Sequence, residues 1–162
     1  MRDDPFQTAI LAAWHGEIFG AELGRLGPML LADGISHTDS FAQIGQVEAL
    51  MAQILYPALT PSPDISAAHK AASDRATSLL KDCGNWQGFL ARSTASFPAA
   101  LERFRQIVRI APARHRPLAE LLLAHEIALI DFMDRDAHRV PMPSGNALAH
   151  FVEKAAALAP RS

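Results

Sequence analysis

The stretch PLAELLLAHEIALIDFMD, residues 117–134, decides the fold. Pro117 suits a first helical position, where its missing N–H is not needed. No Gly or Pro interrupts the chain again until Pro141. At about 100° per residue, Leu118, Leu122, His125, Leu129 and Phe132 fall along one line. Glu120, Ile127, Asp131 and Asp134 fall on the other side. The apolar sector exceeds half the circumference, so several neighbours should cover this helix. His125 sits in the middle of that sector, and an imidazole there needs a partner.

The rest of the chain agrees with a helical reading. Its 162 residues are enough for one domain, residues 1–162, with a sizeable core. Ala and Leu dominate, while the strand formers Val, Tyr and Thr are scarce, which favours an all-α fold. A formal net charge of −2 gives no electrostatic case for nucleic acid. The one dense basic cluster, Arg103, Arg105, Arg109, Arg114 and Arg116, reads as a solvated helix face and loop, with a phosphate patch as the alternative. A single cysteine, Cys83, excludes an internal disulfide and a thiolate metal cage. The charged N-terminus does not resemble a signal peptide, and no run nears the ~18 apolar residues of a membrane span. The expectation is a soluble, cytoplasmic protein without a membrane partner.

Capping signals divide the chain. Asp4-Pro5 opens a first helix that runs to about Leu26, with Gly24 and Gly27-Pro28 as its fraying end. Asp33-Gly34 marks a turn. A second helix runs from Asp39 or Ser40 to about Tyr56, closed by Pro57, Pro61 and Pro63. A third runs from about Asp64 to Cys83 and is capped by Gly84. Asn85 caps a fourth, which Pro98 should kink or divide into Trp86–Ser96 and Pro98–Ile110. The opening stretch is the fifth. A short final helix, capped by Ser144, can dock through Leu148, Phe151, Val152 and Ala155, with His150 on its flank. Short connections favour antiparallel neighbours, so the expected architecture is an up-down four-helix bundle with additional short helices.

Each of four long helices places one ionisable residue on its apolar stripe: Glu17, Glu48, His69 and His125. Glu17 lies seven residues after Ile10. Glu48 lies seven after Phe41 and seven before Leu55, and His69 one turn after Ile65. Glu126 could reach in from the flank of His125, whereas Glu22 and His15 point elsewhere. Gly16 and Gly20 bracket Glu17 and would permit close approach of a helix or ligand, with plain packing as the simpler account. Charged groups are seldom fully buried without partners. Two carboxylates and two imidazoles on facing helices suit iron, manganese or zinc. Glu17–His125 or Glu48–His69 hydrogen-bonded pairs would account for the same pattern without metal. An activated Cys83 thiolate, a phosphate-cradling loop and a haem site held by His125 or His69 all have weaker support.

These positions resemble the ferritin-like dimetal-carboxylate bundle, which draws a Glu from each of two helices and Glu-x-x-His from each of the other two. Glu17 matches the lone first-helix carboxylate. Glu48 matches the carboxylate of the second-helix motif, with Met51 where its histidine belongs. His125 matches the histidine of the last motif, with Leu122 where its glutamate belongs. On the third helix His69 stands in place of a glutamate. Trp14-His-Gly-Glu17 and the segment from Leu123 to Phe132 are also similar to bacterial ferritin-like proteins. The resemblance implies a metal-binding core and, with iron, oxidoreductase-type chemistry using oxygen or peroxide. Two other readings stay open. One is a non-catalytic bundle acting in self-association, for example as a homodimer, or in partner binding. The other is a small-molecule pocket among the Ala- and Gly-rich faces of helices 1 and 3. Ligand atoms of Glu17, Glu48 and His125 converging within about 5 Å would suit a shared ion.

Overall fold

The computed structural model describes residues 4–138 together with Leu148, Phe151, Glu153, Ala155 and Ala157. The described elements are all helical: α1 Pro5–Leu30, α2 Thr38–Leu55, α3 Ile65–Cys83, α4 Trp86–Ile110 and α5 Arg116–Ala137. Short 3-10 turns at Gly34–His37, Tyr56–Ala58 and Ala113–His115 join them. Asp4 caps α1 by accepting from the Phe6 amide, Asp64 caps α3 through Ala67, and Asn85 caps α4 through Gly88. Each cap satisfies one of the amides that a helix start leaves without a partner. Gly84 ends α3 with a φ of 75°, a conformation that a side chain would strain.

Two boundaries differ from the sequence reading. Helix α1 does not fray at Gly24 but continues through Pro28 to Leu30. Its glycines serve packing: a Cβ at Gly24 would strike the Gly45 backbone on α2, and one at Gly27 would strike the Phe41 ring. Helix α4 is not divided at Pro98. Just before the proline the Thr94 hydroxyl donates to the Leu90 carbonyl and the Ser96 hydroxyl to the Ser93 carbonyl. The proposed cap Ser144, with His150 and Val152, lies outside the described residues. Leu148, Phe151 and Ala155 are helical and buried, as a docked final segment requires.

Helix directions follow from the contacts. Gly20 faces Glu48, Gly24 faces Gly45 and Gly27 faces Phe41, so α1 and α2 are antiparallel. Glu22 meets His69 and Arg25 meets Ser73, so α3 runs parallel to α1. At the far end the Ala32 amide donates to the Gly84 carbonyl, and Asp33 accepts from the Trp86 amide. Helix α4 therefore starts beside the end of α1 and runs back along it, and α5 returns against α4. Trp86, Phe89 and Phe41 form an aromatic cluster at that end, and the Trp86 indole donates to Asp136 on α5 at 2.7 Å. Apolar burial across these helices is the main stabilising term, at roughly 25 cal/mol per Å².

Candidate metal centre

Three polar side chains meet at mid-height among these helices. Glu17 comes from α1, Glu48 from α2 and His125 from α5, and all three are buried. The sequence places them there by the same rule that buries their neighbours. Glu17 shares a face with Ile10 and Ala13, Glu48 with Phe41 and Leu55, and His125 with Leu122, Leu129 and Phe132. His125 Nε2 lies 3.6 Å from Glu17 Oε2 and 3.6 Å from Glu48 Oε2. One ligand atom from each of the three lies within 4.8 Å of the others.

Neither 3.6 Å approach is a hydrogen bond. Glu17 Oε2 and both His125 nitrogens are buried without any hydrogen-bond partner. Leaving such groups unsatisfied costs about 1–3 kcal/mol each, so their concentration at one point is informative. The 3.6 Å separations are close to the spacing of two donors on one tetrahedral cation, about 3.4 Å at bonds of ~2.1 Å. Two carboxylates and one imidazole are also a suitable donor set for zinc, manganese or iron.

Burial dictates the protonation of the metal-free centre. It holds the His125 imidazole neutral, with its pKa pushed down to about 3. It raises the Glu17 carboxyl well above the usual range, and the nearby Glu48 charge adds to the effect. Glu48 is pushed up to about 8, again chiefly by burial, with a hydrogen bond to Glu17 acting in the opposite sense. Without a cation the centre is a neutral imidazole beside carboxyl groups that retain protons near neutrality. A divalent ion would take their place, and its binding would release protons.

The other two predicted residues stand apart. Glu126 is buried on α5, and its carboxyl is raised to about 7 by burial, offset in part by Arg103. It lies outside the converging group and lines the neighbouring cleft. His69 is not in the core. The buried line of α3 is Ala68, Ala72, Ala76 and Leu80, and His69 lies about 100° away from it. Its side chain is half exposed, and its Nδ1 lies 3.2 Å from Glu22 Oε1. Glu22, read as pointing away from the apolar stripe, is buried between His69 and Arg25.

Gly20 is a supporting residue whose role needed the fold to be seen. A Cβ at Gly20 would overlap the Glu48 carboxyl group, so the missing side chain is the space that Glu48 occupies. Its position one turn after Glu17 was visible in the sequence, but the partner was not. The Phe151 ring packs against His125, with ring centroids 5.6 Å apart.

No protein family matches the chain, and no curated protein or solved structure is detectably similar to it. The chemistry of the centre therefore has to be read from its own residues. Glu17 and Glu48, but not His125, line a cleft of about 810 Å³ between α1 and α4. A cation held by the three would be anchored on the imidazole side and approachable from the carboxylate side. Three protein donors with an open approach are the pattern of reactive rather than purely structural metal sites. Among the described residues, no helix is long and apolar enough to cross a membrane.

Proposed function

We propose that the chain is a ferritin-like helical protein whose interior holds one divalent cation between Glu17, Glu48 and His125. The observation that carries this reading is the convergence of three buried donors, two of them with atoms that have no hydrogen-bond partner. The ferritin-like part rests on topology. Helices α1, α2, α4 and α5 supply or surround the centre, and α3 carries the chain back along α1. Ferritin-like bundles likewise contain one long crossover connection. The donor set is smaller than that of a dimetal bundle, because Met51 and Leu122 occupy two motif positions. It is sized for a single ion.

Iron in the centre would supply oxidation chemistry with oxygen or peroxide, and zinc or manganese would supply a Lewis acid. The protein's own part is to hold His125 neutral and ready to donate to metal, to exclude water around the imidazole, and to leave the carboxylate side open to the cleft. Glu126 in the cleft wall is a proton-holding group beside that opening.

The alternative of a metal-free bundle organised by internal Glu–imidazole hydrogen bonds lacks its defining feature, since His125 makes no such bond. Elemental analysis after purification without chelator tests the proposal. About one equivalent of metal is expected, lost in Glu17→Gln and in His125→Leu. A folded protein that takes up no zinc, manganese or iron(II), and whose melting temperature ignores all three, would overturn it.

A further inference from the structure

The cleft beside the centre has a polarity of its own. Its α1 wall carries five small residues, Ala9, Ala12, Ala13, Gly16 and Gly20, with Phe19 and Leu23 at one end. A Cβ placed on Gly16 would meet nothing within 4 Å, so this wall borders open space. Phe89, Phe97 and Phe104 face it from α4. From Ala9 to Leu23 the cleft follows α1 for roughly 21 Å at 1.5 Å per residue. The floor carries Glu17 and Glu48.

Arg75 on α3 and Arg92 on α4 line the mouth. They lie nine residues before and eight after Gly84, so both rise to about the same height, ~12–14 Å above the α3–α4 turn. The Arg75 guanidinium rests on the Phe19 ring at 4.2 Å. Neither arginine is ion-paired with a carboxylate among the described residues. By contrast, Arg25, Arg109 and Arg135 each hold a carboxylate of their own helix. Arg103 stands about 16 Å further along α4 and acts on Glu126.

We propose that this cleft binds an elongated apolar molecule with an anionic head, an alkyl carboxylate. Arg75 and Arg92 take the head group, and the chain lies between the α1 wall and Phe97 and Phe104 of α4, running toward Glu17 and Glu48. A cleft of about 810 Å³ lies within the ~300–1,000 Å³ range of small-molecule sites. Two unpaired guanidiniums give a planar carboxylate charge-assisted, bidentate hydrogen bonds. The inference rests on the metal-centre reading only for what the far end of the chain approaches; the binding itself does not require metal.

Calorimetric titration of the full chain with decanoate, in chelator and again after zinc loading, tests it, with decanol as the uncharged control. Decanoate is expected to bind in both states and decanol at least about tenfold more weakly. The Arg75→Gln/Arg92→Gln variant should lose at least about tenfold in decanoate affinity while keeping wild-type zinc stoichiometry. Gly16→Leu, which fills open space, should block the chain without unfolding the protein. The inference is overturned if decanoate fails to bind, if decanol binds equally well, or if the double variant binds decanoate as the wild type does. Decanoate binding by a chain that takes no zinc would sustain this inference and end the metal reading. Zinc uptake without decanoate binding would do the reverse.

Discussion

Raising the pH should destabilise the metal-free protein and favour metal binding, and both effects originate in the same carboxyl groups. Glu17, Glu48 and Glu126 have folded-state pKa values raised above the usual carboxyl range. The folded state therefore holds protons that the unfolded chain has already released. Such groups contribute stability that is fully present below the unfolded value of about 4.5 and lost as pH rises through the folded value. His125 has the opposite shift, down to about 3, so its contribution is present above about 6.5 and lost as pH falls. Above pH 6.5 the carboxyl groups dominate, since His125 adds back less than about 0.5 kcal/mol there. With a folded pKa of about 8, Glu48 alone removes about 2 kcal/mol between pH 6.5 and 8.5, at 1.36 kcal/mol per pH unit. Glu17 acts in the same direction, and Glu126 adds less than about 1 kcal/mol. For a chain of this length about 2 kcal/mol corresponds to a melting temperature lower by roughly 4–8 °C. The assay is thermal melting followed by circular dichroism across pH 6.5–8.5 in chelator, repeated with saturating zinc or manganese. In chelator the melting temperature should fall with pH. With metal the fall should be abolished or reversed, because the cation binds the deprotonated carboxylates. In Glu17→Gln/Glu48→Gln the chelator slope should largely disappear. A flat wild-type profile, or the same slope in the double variant, would refute the reasoning.

Gly20→Ala should displace the Glu48 carboxyl, cost about 1–3 kcal/mol and weaken metal binding, whereas Gly16→Ala should leave both stability and metal content intact; melting curves and elemental analysis compare them. His125→Leu should lose the metal but melt at or above the wild-type temperature in chelator, because it removes a buried imidazole that has no partner. Pro98→Ala should stabilise the protein by up to about 3 kcal/mol in urea titration, because α4 already runs unbroken through this position. Gly84→Ala should destabilise by about 1 kcal/mol or more in the same assay, since its φ of 75° disfavours a Cβ.

The helices were legible because their ends carry local chemistry. Asp4-Pro5, Asp64, Asn85 and Gly84 act within a few residues of themselves, and no tertiary context changes that. Of the two outcomes expected at Pro98, a kink or a break, the break is overturned, because α4 runs through the position. A proline's cost can be overridden by tertiary packing, which short-range rules do not include. The centre was legible at Glu17, Glu48 and His125, where large apolar neighbours seven residues away fix the buried face. It was misread at His69, because an alanine stripe allows the helix to turn by one residue without an obvious loss of burial. Glu22 was missed because its partner His69 is on another helix, 47 residues away. The cleft depends on the α1–α4 spacing, which no single stretch encodes.

A purely structural origin for the Glu17–Glu48–His125 group meets a specific difficulty. Polar groups retained for specificity normally satisfy one another, and a buried pair removed to leave one partner alone is strongly destabilising. Here both His125 nitrogens lack hydrogen bonds, and the imidazole stays neutral beside two carboxyl groups. At Gly20 the chain forgoes a side chain in the interior of α1, at about 0.5–1 kcal/mol relative to Ala, and the space goes to the Glu48 carboxyl. The unbonded His125 nitrogens gain nothing in the metal-free protein, whereas the Gly20 gap admits a Glu48 carboxyl that also hydrogen-bonds Glu17. A bound cation would satisfy the Nε2 lone pair and the carboxylate charge at one point, and would use Glu48 where Gly20 admits it.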